Sequence, residues 1–147
     1  MTATLRRTPC VGICSTTYGD LVCRGCKRFS HEIVEWNGFA DEQQQLVWQR
    51  LFKLREGAVL EHLLIEDEAK LLERARAVKV PDLDQLTMAN IGYEVLRRSG
   101  GTTDLSLIGI VALTEVSTAS KLYQKIEQEL YERSVAQYER DFHIPAQ

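Results

Sequence analysis

The residues of this sequence that could do chemistry are four cysteines, clustered near its start. They are spaced Cys10-x3-Cys14-x8-Cys23-x2-Cys26, and the 121 residues that follow Cys26 contain no cysteine. Each close pair can present two sulfurs to one point, and Tyr18-Gly19-Asp20 between the pairs is typical of a turn. Four thiolates satisfy a tetrahedral Zn²⁺, a single iron or an Fe–S cluster. We therefore predict that all four cysteines are ligands of a metal ion or a cluster, and the residue types do not distinguish zinc from iron.

Other interpretations of the cysteines are weaker. Two disulfides are chemically possible, but no secretory signal is visible and we expect the reducing cytoplasm. The Cys23-Arg-Gly-Cys26 segment alone could be a redox dithiol, with Arg24 and Lys27 lowering a thiol pKa. A thioredoxin-like protein also needs a βαβ unit, which the sequence does not predict. His31 could be a reserve ligand, but we expect it in the first turn of a helix.

The charge of the chain is unevenly distributed. Residues 1–28 have a net charge of +4, residues 29–147 have a net charge of −7, and the whole chain has −3. A Zn²⁺ with four thiolates has a formal charge of −2, as does a typical oxidised cluster. Arg24, Lys27 and Arg28 are placed to offset that charge. This explains the basic segment without nucleic acid, which the acidic pI of about 5.7 also disfavours as a partner.

The rest of the chain is predicted to be helical. Ser30 can cap a short helix, and Asp41 can begin a second one with Gln44 at the capping-box position. Gly57 is expected to break or bend this second helix. A third helix is predicted over Ala58–Val78, because its leucines fall on one side at helical spacing. We expect Trp36 and Trp48 in the core.

Two later helices and one ambiguous segment follow. Asp82 or Asp84 can cap a helix that Ser99-Gly100-Gly101 ends. The apolar run Leu105–Val116 fits a short buried helix or a packed extended segment, and no partner strand is evident. The last helix is predicted over residues 118–142.

The apolar stripe of the last helix changes direction near its middle. Leu122, Ile126 and Leu130 share one side, and we expect them to pack on the body. A second set faces elsewhere and could meet the cysteine segment, a second copy of the chain or another protein: Tyr131, Val135, Tyr138 and Phe142. We favour a protein partner or a homodimer through this C-terminal helix, because tyrosines are common at interfaces.

The first third of the sequence resembles a known family. The motifs Pro9-Cys10-x3-Cys14, Cys23-x-Gly-Cys26 and Glu32-Ile33-x2-Trp36 resemble those of the YdhL-like predicted Fe–S proteins, a bacterial family catalogued as a domain of unknown function. The resemblance covers about residues 8–57. It implies that Cys10, Cys14, Cys23 and Cys26 are the ligands.

These observations predict a mainly α protein. A small N-terminal knuckle of four cysteines, residues 1–29, packs on a helical body, residues 30–147. The favoured function is a non-enzymatic adaptor or accessory factor that binds Zn²⁺ or an Fe–S cluster and docks a protein partner. The alternatives are an electron-transfer component with an Fe–S cluster and a zinc knuckle that binds nucleic acid. The longest apolar run, Leu107–Leu113, is too short to cross a membrane, so no membrane span is expected.

Overall fold

The computed structural model describes residues 8–10, 14–99, 103–116 and 118–142. These residues are mainly helical, as predicted. The helices are α1 Ser30–Glu35, α2 Asp41–His62, α3 Glu68–Ala77, α4 Met88–Ser99 and α5 Ala119–Phe142. Two short strands, β1 Leu63–Ile65 and β2 Ile110–Ala112, complete the regular structure. No helix of the described residues is both long enough and apolar enough to cross a membrane.

Helix α2 is longer than the sequence predicted. It begins at Asp41, as expected, but it continues through Gly57 to His62. The capping-box position at the start of α2 is occupied by Gln43, whose Oε1 accepts the Ala40 N–H at 2.8 Å. Gln44 instead donates its side-chain amide to the Trp36 carbonyl. A glycine costs a helix interior only about 1 kcal/mol, which the packing of a long helix can exceed.

The predicted helix over Ala58–Val78 is wrong. Its first residues end α2, its middle forms β1, and α3 begins only at Glu68 after the N-cap Asp67. The Asp67 side chain accepts the Lys70 N–H at 3.1 Å. β1 forms because its three apolar residues find a partner strand in β2. The pairing is antiparallel, with Leu63 opposite Ala112 and Leu64 opposite Val111.

The ambiguous run Leu105–Val116 contains both kinds of structure that were considered. A single 3₁₀ turn spans Leu105–Ile108, Gly109 follows with φ of +74°, and β2 comes next. The expectation that this run lacks a partner strand is therefore wrong. The partner lies about 45 residues earlier in the chain, and pairing over that distance leaves no local signal.

Helix α4 begins later than either predicted cap. A separate 3₁₀ turn spans Leu83–Gln85. Asp82 is its N-cap and Asp84 lies within it. The side chain of Thr87 accepts the Asn90 N–H at 3.3 Å and so caps the helix. The helix is described to Ser99, and the predicted stop at Gly100-Gly101 lies outside the described residues.

The described chain forms two compact units. We call residues 55–128 the sheet unit and residues 8–54 with 129–142 the cysteine unit. The sheet unit contains β1, β2, α3, α4, the end of α2 and the first part of α5. The cysteine unit contains the four cysteines, α1, most of α2 and the second part of α5. The predicted boundary after residue 29 stays a prediction.

A buried polar network lies in the sheet unit beside its apolar core. Tyr93 is 2% exposed and donates its hydroxyl to Glu127. The Arg55 guanidinium lies 4.6 Å from the centre of the Tyr93 ring. The centres of the Tyr93 and Tyr123 rings are 5.6 Å apart. Arg97 forms a 2.9 Å ion pair with Glu94 on the same helix. Burial raises the pKa of Tyr123 to about 12, and the charge of Glu127 adds to this rise.

Candidate metal or cluster site

The second cysteine pair lies in a tight backbone knuckle. Val22 and Phe29 form an isolated antiparallel bridge that closes its base. The Cys23 N–H donates to the Arg28 carbonyl at 2.9 Å, and the Lys27 N–H donates to the Cys23 carbonyl at 2.9 Å. Lys27 has φ of +67°, so the left-handed position of this turn is held by a lysine. Gly25, which lies between the two cysteines of this pair, is not among the residues with positive φ. Such a closed turn brings two cysteines three residues apart onto one side.

The sulfurs of Cys23 and Cys26 are directly hydrogen-bonded to each other. The Cys26 thiol donates to Cys23, which also accepts the N–H groups of Cys26, Ser15 and Gly25. These bonds, led by that from Cys26, lower the pKa of Cys23 to about 4, although burial opposes them. The same bond and burial raise the pKa of Cys26. Four donors aimed at one sulfur stabilise a thiolate, which is the form that binds a metal.

Arg28 connects the knuckle to the core of the cysteine unit. Its Nε donates to Cys26 Sγ at 3.3 Å, and its guanidinium lies 4.9 Å from the centre of the Trp36 ring. The residue is 4% exposed. Lys27, also buried, donates its Nζ to the Gly25 carbonyl at 2.9 Å. Two buried cationic side chains therefore belong to the knuckle, where they can offset the negative charge of thiolates.

Arg24 differs from its two basic neighbours. Its guanidinium lies 4.4 Å from the centre of the Tyr131 ring, and its Nε lies 3.5 Å from an oxygen of Asp20. Its side chain is 63% exposed. Arg24 thus contacts an acidic group and the second part of α5, whereas Arg28 contacts a sulfur.

The first cysteine pair is arranged differently. Cys14 is half-buried, and its Sγ lies 2.9 Å from the hydroxyl oxygen of Thr16 in a hydrogen bond. The next residue, Ser15, accepts the Arg24 N–H on its Oγ at 2.8 Å. The backbone that carries Cys14 is therefore joined to the backbone of the knuckle. Cys10 is exposed, and its N–H donates to the hydroxyl of Thr8 at 3.2 Å.

The structure brings one pair of sulfurs together. None of the four cysteines, all of which lie among the described residues, forms a disulfide. Over residues 8–10, 14–99, 103–116 and 118–142, no three or more His, Cys, Asp or Glu side chains gather into a group that could hold a metal ion. Cys23 and Cys26 supply two ligands with suitable donors around them, while Cys10 and Cys14 are not gathered with them. Residues 11–13, between Cys10 and Cys14, lie outside the described residues.

An aromatic cluster lies directly after the knuckle. Phe29 is 2% exposed, and its ring centre lies 5.3 Å from those of Tyr138 and Phe142 on α5. The centre of the His31 ring lies 5.0 Å from that of the Phe142 ring, so His31, in the first turn of α1, packs on an aromatic ring. The second set of residues on the last helix therefore contacts the cysteine segment, one of the three outcomes that the sequence left open. Phe142 stays 49% exposed.

A buried ion pair fixes the start of α1 beneath this cluster. Glu32 accepts the Phe29 N–H at 2.8 Å and is bound by both terminal nitrogens of Arg50, one of them at 2.8 Å. The Arg50 guanidinium also lies 4.0 Å from the centre of the Phe29 ring. No local sequence signal predicts this ion pair, since the two residues are 18 positions apart. Ser30, predicted as the cap, is the first helical residue instead.

The comparisons with known proteins agree with the resemblance seen in the motifs. Residues 8–55 match a family described as "Protein of unknown function (DUF1289)". The chain resembles this family over that segment, which includes all four cysteines, Glu32 and Arg50. Neither the curated proteins nor the solved structures contained a match. The family description assigns no function.

Proposed function

We propose that this chain is a cytoplasmic protein that binds Zn²⁺ or an Fe–S cluster through Cys10, Cys14, Cys23 and Cys26 and that acts as a non-enzymatic adaptor or accessory factor. The observation that carries the proposal is the hydrogen-bonded pair of Cys23 and Cys26 in a knuckle. The pair offers two sulfurs at one point, and backbone N–H groups stabilise the anionic form that a metal requires.

The residues fit one half of a four-thiolate site, and each has a separate part in it. Cys23 and Cys26 would supply two ligands, and the Cys14 backbone is already joined to them through Ser15. Cys10 is exposed and would complete the set. A bound Zn²⁺ would cross-link the segments that carry the cysteines, and a bound cluster would in addition be able to accept and donate an electron. Arg28 and Lys27 would offset the negative charge of the thiolates.

The test is the metal content of full-length protein purified without oxygen. We expect one zinc ion per chain, or the iron and sulfide of one cluster, measured by elemental analysis and an absorption spectrum. Cys23→Ser should lose the metal and Cys10→Ser should lose most of it, whereas the control Ser134→Ala should keep it. Retention of full metal content by Cys10→Ser would contradict a four-cysteine site. Absence of metal from the unaltered chain would contradict the proposal as a whole.

One feature favours the electron-transfer alternative enough to test it. Hydrogen bonds to cluster sulfurs are one of the means by which proteins set a reduction potential. Cys23 and Cys26 both accept such bonds, from backbone N–H groups and from Arg28. A reversible one-electron reduction of the purified protein would support this alternative. Binding to nucleic acid is disfavoured, because Lys27 and Arg28 are buried and cannot reach phosphates.

The C-terminal helix α5 is the surface on which we expect the proposed adaptor to dock its partner. Tyr131 and Tyr138 on α5 contact Arg24 and Phe29, which uses part of the surface expected for a partner or a second copy. Phe142 remains 49% exposed, and Tyr131, Val135 and Tyr138 are half-buried, so part of this surface remains accessible. A Tyr138→Ala, Phe142→Ala double variant that stays folded and loses a partner or a dimer would support docking at this helix.

A further inference from the structure

The outer face of the two-stranded sheet is apolar and exposed. Leu64 and Val111 are directly opposite each other in register, and they are 56% and 39% exposed. Leu113 is 57% exposed, and its N–H donates to the His62 carbonyl at 2.8 Å, which continues the pairing. The other face is different, since Leu63 and Ile110 are buried and β1 contacts α4. A sheet with an apolar face normally buries it against a second layer, and among the described residues only the inner face of this sheet is buried in that way.

The two stretches of sequence that form this face contain acidic residues and no lysine or arginine. Neither residues 56–69 nor residues 99–120, which contain the two strands and their flanks, include any lysine or arginine. Glu66 lies two residues after Leu64, just past the end of β1, and Glu115 lies two residues after Leu113, past the end of β2. Both glutamates are exposed. The other acids of these segments are Glu56, Glu61, Asp67, Glu68 and Asp104.

The acidic residues around this face determine which kind of partner can bind to it. A second copy placed on the same face would set one group of acids against another, at an electrostatic cost. A nucleic acid or an anionic membrane would be repelled in the same way. A partner with apolar side chains between basic ones would bury the leucines and form ion pairs with the glutamates. An amphipathic helix is the element that commonly covers a sheet face in this manner.

We propose that the outer face of this sheet, formed by Leu64, Val111 and Leu113 with Glu66 and Glu115 at its ends, docks an amphipathic helix of a partner protein whose apolar stripe is flanked by lysines or arginines. The surface lies in the sheet unit and contains no cysteine. The proposal is therefore independent of the metal site, and metal content should be the same whether or not the face is occupied.

The test uses two synthetic helical peptides of 18 residues and the full-length protein. One peptide has a leucine stripe flanked by lysines, and the other has glutamates at the same positions. Fluorescence anisotropy should show at least tenfold tighter binding of the lysine peptide. The Leu64→Ser, Leu113→Ser variant should bind it at least tenfold more weakly. Leu46→Ser, which changes a 65% exposed leucine in the cysteine unit, should bind it as the unaltered chain does.

A charge reversal keeps the test decisive if the serine variant fails to fold. The Glu66→Lys, Glu115→Lys variant changes only exposed side chains and should prefer the glutamate peptide. The proposal is overturned if the unaltered chain binds neither peptide or binds both equally, or if the charge reversal leaves the preference unchanged. It is also overturned if ultracentrifugation shows a dimer that Leu64→Ser separates, because the occupant would then be a second copy.

Discussion

Arg28 Nε lies 3.3 Å from the sulfur of Cys26, and the Arg28 guanidinium also packs on the ring of Trp36. One side chain thus joins a candidate ligand to the first helices of the cysteine unit. Residues that hydrogen-bond a metal ligand without touching the metal orient that ligand and adjust its basicity. Arg28 is placed to do both for Cys26.

We expect Arg28→Met to weaken metal retention by about 10-fold to 100-fold, the range that holds for such supporting residues. Methionine fills much of the volume but donates no hydrogen bond, so Cys26 would lose a donor and a neighbouring positive charge. Competition with a chelator measures the change. Arg24→Met removes an equal charge from a residue that contacts Tyr131 and Asp20, and it should retain metal normally. Equal losses in both variants would show that overall charge matters and the contact with Cys26 does not.

The contact between Phe29 and Tyr138 predicts a coupling between the knuckle and the last helix. Their ring centres are 5.3 Å apart with the rings at 68°, an edge-to-face arrangement. Such pairs contribute about 0.5–1.5 kcal/mol beyond the burial of their surface. A double-mutant cycle with Phe29→Leu and Tyr138→Leu, measured by urea unfolding, should give a coupling free energy in that range. Tyr18 is 90% exposed, so the same cycle with Tyr18→Leu in place of Tyr138→Leu should give none.

Local sequence signals located most of the helices. Asp41 and the residues near 118 mark real helix starts, and the change of direction in the last stripe corresponds to a helix that belongs to two units. Both tryptophans predicted for the core are buried, Trp36 at 6% and Trp48 at 4% exposure. These features depend on residues within a turn or two of one another, which a pattern can detect.

The features that the sequence did not predict depend on contacts between distant residues. The pairing of Leu64 with Val111 spans 47 positions, and three apolar residues cannot be told from the end of a helix without knowledge of their partner. The spacing of Cys23 and Cys26 predicted a close pair. It did not predict Lys27 in the left-handed conformation, because lysine is not a residue that indicates it. The ion pair of Glu32 with Arg50 left no local signal either.

Gly109 is the residue of the sheet unit that should tolerate substitution least. Its φ is +74°, and a Cβ there would lie 2.3 Å from the backbone oxygen of Asp67. The Gly109 carbonyl accepts the N–H groups of Glu66 and Asp67, so the backbone cannot move away without loss of those bonds. We expect Gly109→Ala to lower the free energy of unfolding by about 3 kcal/mol, since strain and overpacking add. Gly38→Ala, with nothing within 4 Å of the added carbon, should change it by less than about 1 kcal/mol.

The pKa of Tyr123 predicts how stability depends on pH in the alkaline range. Burial, followed by the negative charge of Glu127, raises this pKa from 10.0 to about 12, while Tyr93, Arg97 and Arg55 act in the opposite direction. Because the folded-state pKa lies above the unfolded one, the neutral phenol binds its proton more tightly in the folded chain. The stabilisation is therefore complete below pH 10 and is lost as the pH rises through about 12.

We expect urea unfolding between pH 9 and 12 to show a steeper loss of stability for the unaltered chain than for Tyr123→Phe, which has no phenol to ionise at this position. Tyr93, whose pKa burial also raises, is present in both proteins. Because Tyr123 contributes to that rise, the difference between the two pH profiles includes the coupling of the two phenols. Absorbance at 295 nm should show Tyr123 ionising at a pH well above the midpoint of a free tyrosine. Tyr18→Phe is the control, and its stability should follow that of the unaltered chain. Identical pH profiles for the unaltered chain and Tyr123→Phe would mean that Tyr123 ionises in the folded chain as it does in water, against the burial that the fold gives it.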